Sequence, residues 1–122
     1  MATLRPFQEV VAELRAGLRC LDAAASIEEI ATAGGTLVDV RESAESTAQP
    51  APHSVNIPRG VLEMKIVELT DDPEHPLYLH CASGGRATLS ADALTRLGYA
   101  RVTVITSPLA DVLEQQRRLD QR

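Results

Sequence analysis

Aromatic side chains are nearly missing: the 122 residues include one Phe, two Tyr and no Trp. A core must therefore be built from Ala, Val, Leu and Ile. Cysteine is as sparse, with only Cys20 and Cys81. Two thiols in a chain of this length make no disulfide scaffold. No Cys-x-x-Cys pair or paired-His spacing occurs, and His53, His75 and His80 are scattered. Neither a metal site nor an organic cofactor is expected. Basic stripes are absent too. The net charge is -5, and Arg117-Arg118 is too short a run to draw nucleic acid. No apolar run approaches the roughly 18–20 residues that span a bilayer. The amino-terminal residues lack the basic-then-apolar pattern of a leader. The expectation is a cytoplasmic protein with no membrane and no nucleic-acid partner.

What is present is ordinary for a globular chain: 44% apolar and 24% charged residues. The length suits one domain with one core, residues 1–122. Leu4, Phe7, Val10, Val11, Leu14 and Leu18 recur at helical spacing and predict a helix over about 4–17. That helix is expected to pack on the domain as an amino-terminal extension; a homodimer contact is the other use of such a stripe.

Leu18 to Asp22 reads as a short edge strand. Ser26-Ile27-Glu28-Glu29 has the form of a capping box and predicts a helix start, with Gly34-Gly35 as the stop. Thr36 to Val40 is a compact apolar strand. Residues 43–53 read as a loop, small and polar with Pro50 and Pro52. Ser54 to Ile57 is another strand, and a helix follows over about 60–69. The central strand is 77–81. The helix after Arg86 carries Leu89, Ala93, Leu94 and Leu97, and Gly98 ends it. Arg101 to Ile105 is the last strand. Ser107 as N-cap and Pro108 at the first helical position open a final helix over about 108–118, with a polar tail that frays. Apolar strands alternating with helices predict an α/β fold: a mainly parallel sheet covered on both faces, with ligands at the carboxyl ends of the strands.

One stretch carries chemistry. Leu77-Tyr78-Leu79-His80-Cys81-Ala82-Ser83-Gly84-Gly85-Arg86 is a strand that ends on a thiol, a turn of small residues, and an arginine opening a helix. Loop and first-turn N–H groups would surround the sulfur, an arrangement that stabilises anions and favours the nucleophilic thiolate. Ser83, Gly84 and Gly85 let the backbone curl closely. The Arg86 fork suits an oxyanion. Asp39 and Arg41 lie at the end of a neighbouring strand and read as a pair supporting the loop. Arg59 adds positive potential nearby or is a solvated surface residue. His80 is expected to point to the opposite face and pack there. Cys20 is a small core or edge residue, or a resolving thiol if the fold brings it to Cys81.

Taken together these stretches resemble a single-domain rhodanese, of the sulfurtransferase family. Leu37-Val38-Asp39-Val40-Arg41-Glu42 resembles the family's first landmark, Val55-Asn56-Ile57-Pro58-Arg59-Gly60 its second, and Cys81-x-x-Gly84-x-Arg86 its active-site loop. The likeness covers roughly residues 20–105. It implies a rhodanese-like three-layer fold with about five strands. It also implies a cysteine persulfide mechanism. Cys81 takes the outer sulfur of thiosulfate or a related donor and passes it to cyanide or a thiol. Residues 82–86 hold the charge, and Arg86 binds the sulfite end or braces the loop. Two departures stand out. Gln49-Pro50-Ala51-Pro52-His53 replaces a Gly-His-x-Pro-Gly pattern. Thr106-Ser107-Pro108-Leu109 replaces a Gly-Gly and an aromatic-bearing helix start near the site mouth, where the acceptor is chosen. The resemblance leaves two alternatives: a non-catalytic binding module, and a rhodanese-type phosphatase or arsenate reductase. The latter use His-Cys-x5-Arg loops, and here four residues separate Cys81 from Arg86.

Overall fold

A computed structural model of the protein describes all 122 residues. Five short strands, β1 (Arg19–Leu21), β2 (Thr36–Asp39), β3 (Ser54–Asn56), β4 (Leu77–His80) and β5 (Val102–Ile105), form one sheet in the order β1-β5-β4-β2-β3. Every pairing is parallel. Six α-helices connect them: α1 (Phe7–Ala16), α2 (Ala23–Ala33), α3 (Ser43–Ala48), α4 (Leu62–Leu69), α5 (Gly85–Leu97) and α6 (Leu109–Asp120). A 3-10 turn over Arg59–Val61 leads into α4. No helix is long and apolar enough to cross a membrane.

Strand alternation sorts the core into two layers. Val38, Leu77, Leu79, Cys81 and Val104 face one side and meet Leu62 and Ile66 of α4 and Ala87, Ala91 and Leu94 of α5. Leu37, Tyr78 and Ile105 face the other side and meet Ala23 and Ile27 of α2 and Val112 of α6. The central strand β4 is buried at every position, as expected of a parallel strand covered on both faces. The two tyrosines take one layer each, while Phe7 stays half exposed.

Several expected boundaries move, each for a local reason. Helix α2 starts at Ala23, because the Asp22 side chain accepts from Ala25 N–H at 2.8 Å. Ser26 lies inside the helix, buried, its hydroxyl donating to the Asp22 carbonyl. Residues 43–48 are helical rather than loop. Glu42 and Glu45 cap that turn reciprocally, so α3 forms without burying a single residue. On α5 the buried stripe is Ala87, Thr88, Ser90, Ala91 and Leu94, and Leu97 is exposed. Ser107 does not cap α6; its hydroxyl accepts from Ala23 N–H and ties two loops together. Helix α6 runs on to Asp120, held by the buried Gln116.

Gln116 Nε2 donates to Ser54 Oγ at 2.9 Å, and Ser54 Oγ lies 2.7 Å from Nε2 of the fully buried His80. This chain links α6, β3 and β4 on the face opposite Cys81. Burial outweighs the attraction of Asp39 and lowers the His80 pKa from 6.5 to about 4. The unfolded chain therefore takes up the His80 proton first as pH falls. The stability of neutral, buried His80 is intact above about pH 6.5 and is lost progressively toward pH 4, by on the order of 3 kcal/mol. Urea denaturation at pH 7 and pH 4.5 should show this loss, and His80→Gln should flatten it. An equal pH slope in the two proteins would contradict the assignment.

Candidate active site

The carboxyl ends of β2, β3, β4 and β5 converge at one edge of the sheet. Cys81 follows β4 directly. Cys81 is 1% exposed, and its Sγ accepts from Gly84 N–H at 3.0 Å. Gly84 can aim its N–H inward because it adopts φ +96, the left-handed region that glycine enters without strain. Helix α5 then begins at Gly85, so its positive end points into the loop. The loop is pinned from outside as well. The Ala82 carbonyl accepts from Leu109 N–H at 3.0 Å, and the Gly84 carbonyl accepts from the Thr88 hydroxyl at 2.7 Å. The departing segment Thr106–Leu109 is thus one wall of the site.

Asp39 and Arg41 form a buried bidentate pair, with Nη2 to Oδ2 at 2.7 Å and Nε to Oδ1 at 2.9 Å. The rest of the Arg41 fork reaches the carbonyls of Glu45 and Gln49, at 3.3 and 2.9 Å. Arg41 therefore holds the 43–49 segment against the sheet and presents nothing to a ligand. Asn56 Nδ2 donates to the Asp39 and Arg41 carbonyls and fixes the same corner.

Arg86 is held by a residue the sequence reading passed over. Its Nη1 and Nη2 meet Glu45 Oε1 and Oε2 at 2.5 and 3.0 Å. Arg86 hydrogen bonding, then the Glu42 N–H, lowers the Glu45 carboxyl to about 2. The Arg86 pKa is raised, first by Glu45 and to a smaller extent by the nearby Cys81 sulfur. The pair clamps α3 to the first turn of α5. The Glu42-x-x-Glu45 spacing signals this helix, but its partner across 41 residues has no local signal. Arg59 is likewise engaged, its Nη1 2.6 Å from Glu63 Oε1. Cys20 lies on the same sheet face as Cys81 but two strands away, opposite Val104, which neighbours Leu79. The Cα separation this implies is on the order of 12 Å, too long for a disulfide.

Helix α1 reaches the site too. A Cβ on Gly84 would stand 2.5 Å from Arg15 Nη2, and one on Gly85 3.0 Å from the Phe7 ring. The two glycines thus also make room for α1. The broad surface clefts lie elsewhere; one, at the opposite strand ends, is lined by Arg19, Tyr78 and Arg101.

A sequence model of the rhodanese-like domain family matches residues 22–111. Among curated relatives, a Bacillus subtilis protein provisionally named sulfur carrier protein YrkF is 31% identical, over 62% of this chain and 40% of its own. A provisionally named mitochondrial thiosulfate sulfurtransferase of Schizosaccharomyces pombe is 32% identical, over 54% of each. The chain thus spans about half the length of these relatives. Two solved structures share the fold. One is a Rhodopseudomonas palustris protein of unknown function, described as a possible tyrosine phosphatase (TM-score 0.77, 21% identity, 93% of each chain). The other is the polysulfide-sulfur transferase homodimer of Wolinella succinogenes (TM-score 0.73, 23% identity, 89% of this chain and 82% of that one).

The two carboxylate–arginine pairs differ in burial, and their removal should differ accordingly. Arg41→Gln leaves Asp39 charged and buried, which costs about 3–5 kcal/mol. Glu45→Gln breaks a pair one-third or more exposed on each side, which costs about 1 kcal/mol or less. Chemical denaturation of the two variants checks the ranking; equal losses would contradict it.

Proposed function

The chain belongs to the rhodanese-like domain family, and on that premise we propose that it is a sulfurtransferase working through a persulfide on Cys81. One observation carries the reading: the Cys81 sulfur already accepts a hydrogen bond from the loop, at 3.0 Å from Gly84 N, beside the positive end of α5. Donors fixed before reaction stabilise developing charge without reorganising. The relatives' names, sulfur carrier and thiosulfate sulfurtransferase, point the same way.

In the first half-reaction the Cys81 thiolate attacks the outer sulfur of thiosulfate. The new bond joins the two sulfurs, the donor's S–S bond breaks, and sulfite leaves with the electron pair. Charge balances: a monoanion and a dianion give a persulfide monoanion and sulfite. In the second half-reaction a thiophile attacks the outer persulfide sulfur and releases the Cys81 thiolate; cyanide gives thiocyanate and a thiolate gives a new persulfide. Loop N–H groups of residues 82–86 hold the negative sulfur throughout. Arg86, paired with Glu45, braces the loop. Asp39 and Arg41 fix the neighbouring corner. Burial of Cys81 suits a small donor. Thr106–Leu109, joined to the loop through Ala82, shapes the side from which an acceptor approaches.

The phosphatase alternative fits less well. Four residues separate Cys81 from Arg86, and the Arg86 fork is filled by a carboxylate. A phosphoryl group must enter the loop with its oxygens around the attacked phosphorus, which takes more room and a free fork, whereas only the outer sulfur of thiosulfate has to enter.

Thiocyanate formation from thiosulfate and cyanide should follow double-displacement kinetics. Cys81→Ala should lower kcat by about a thousandfold or more, and no aryl phosphate should be hydrolysed. Cys81-dependent phosphate release would replace this reading with the phosphatase one. A folded wild type that never turns over any sulfane donor would leave a non-catalytic binding module.

A further inference from the structure

Each arginine that the sequence singled out near the loop is already matched by a carboxylate: Arg41 by Asp39, Arg59 by Glu63 and Arg86 by Glu45. Their charges cancel locally, and little positive potential remains for an anion. Yet the proposed first step brings a thiolate against a dianion. Like charges at close range cost several kcal/mol at an effective dielectric of about 20, so the site needs an uncompensated cation.

Arg15, on the last turn of α1, has the required properties. It is partly buried and forms no ion pair. Its Nε donates to Thr88 Oγ1 at 3.0 Å, and Thr88 in turn donates to the Gly84 carbonyl at 2.7 Å. That anchor fixes the guanidinium plane while leaving Nη1 and Nη2 without a protein acceptor. Nη2 lies against Gly84, on the side shared with the Thr106 carbonyl. Bond lengths then place it no farther than about 9 Å from the sulfur that Gly84 N–H contacts. The carboxylates of the same helix are not competitors, because Glu9 and Glu13 are both engaged by Arg5. Phe7, two turns earlier on the same helix face, lies over Gly85 and closes the apolar side of the wall.

We propose that Arg15 is the cation that receives the sulfonate end of an anionic sulfur donor at the Cys81 loop. The assignment rests on the sulfurtransferase reading and adds a residue from the amino-terminal helix to it. Arg86 then keeps the loop in shape, and Arg15 supplies the charge. A donor bound between the free Nη groups and the loop N–H groups presents its outer sulfur to Cys81.

Steady-state kinetics with thiosulfate and cyanide tests it. Arg15→Gln should raise KM for thiosulfate about tenfold with kcat lowered less than about threefold, and Arg15→Lys should recover much of that loss. The decline of kcat/KM with ionic strength should be shallower in Arg15→Gln than in the wild type. Thiosulfate titrated into Cys81→Ser, followed by amide NMR shifts of Gly84 and Gly85, should bind more weakly when Arg15→Gln is added. A merely structural Arg15 would lower the melting temperature and kcat together while leaving KM and the salt slope unchanged, and that result would overturn the proposal. The two readings fail separately. A wild type that transfers no sulfur defeats the sulfurtransferase assignment. A wild type that transfers sulfur, beside an Arg15→Gln variant with unaltered KM and binding, defeats the role of Arg15 alone.

Discussion

A single backbone N–H, that of Gly84, meets the Cys81 sulfur at 3.0 Å, and much of the molecule serves to keep it there. The contact exists because Gly84 alone in the loop takes a positive φ. It persists because the loop is tied on three sides: by Leu109 N–H on the Ala82 carbonyl, by Thr88 on the Gly84 carbonyl, and by Glu45 on Arg86. Each tie comes from a different element. The parallel sheet brings those elements to one edge, since every strand points its carboxyl end the same way.

Charge is arranged on a second principle. Arg41, Arg59 and Arg86 all lie near the strand ends and all are answered by acidic partners. They act as geometric braces. The buried Asp39–Arg41 pair is the most costly to break and also organises the backbone of α3. Arg15 differs in being anchored by a neutral hydroxyl, so its charge stays available. On the proposed reading, a loop that holds an anionic sulfur and meets an anionic donor is served by rigid neutral pairs around it and by the unpaired Arg15 beside it.

Much of this was legible beforehand. Strands β2, β4 and β5 stand out as compact apolar runs between turn residues, and their alternation with helices implies a parallel sheet. Cys81 at a strand end before Gly84-Gly85-Arg86 marks the loop. Other features had no local trace. Helix α3 has no apolar periodicity, because it buries no residue and is held by its caps and by polar contacts from Arg41 and Arg86. The start of α2 was misplaced because Ser26 and Glu29 imitate a box that Asp22 supersedes. Of the stripe expected on α5, Leu94 is in the core, Leu89 and Ala93 are half-buried and Leu97 is exposed. The buried face is shifted toward Ala87 and Ala91, which bring the helix close to the sheet and carry little hydropathy signal. The Arg86–Glu45 clamp and the approach of Arg15 and Phe7 are tertiary contacts across 41 and some 70 residues, beyond the reach of spacing arguments.

The central claim is that Cys81 carries the transferred sulfur. Intact-protein mass spectrometry after brief exposure to thiosulfate tests it most directly. The account predicts one added sulfur atom, located on the Cys81 peptide, removed by cyanide and absent from Cys81→Ala. A wild type that gains no sulfur, or a Cys81→Ala protein that gains it equally, would contradict the account.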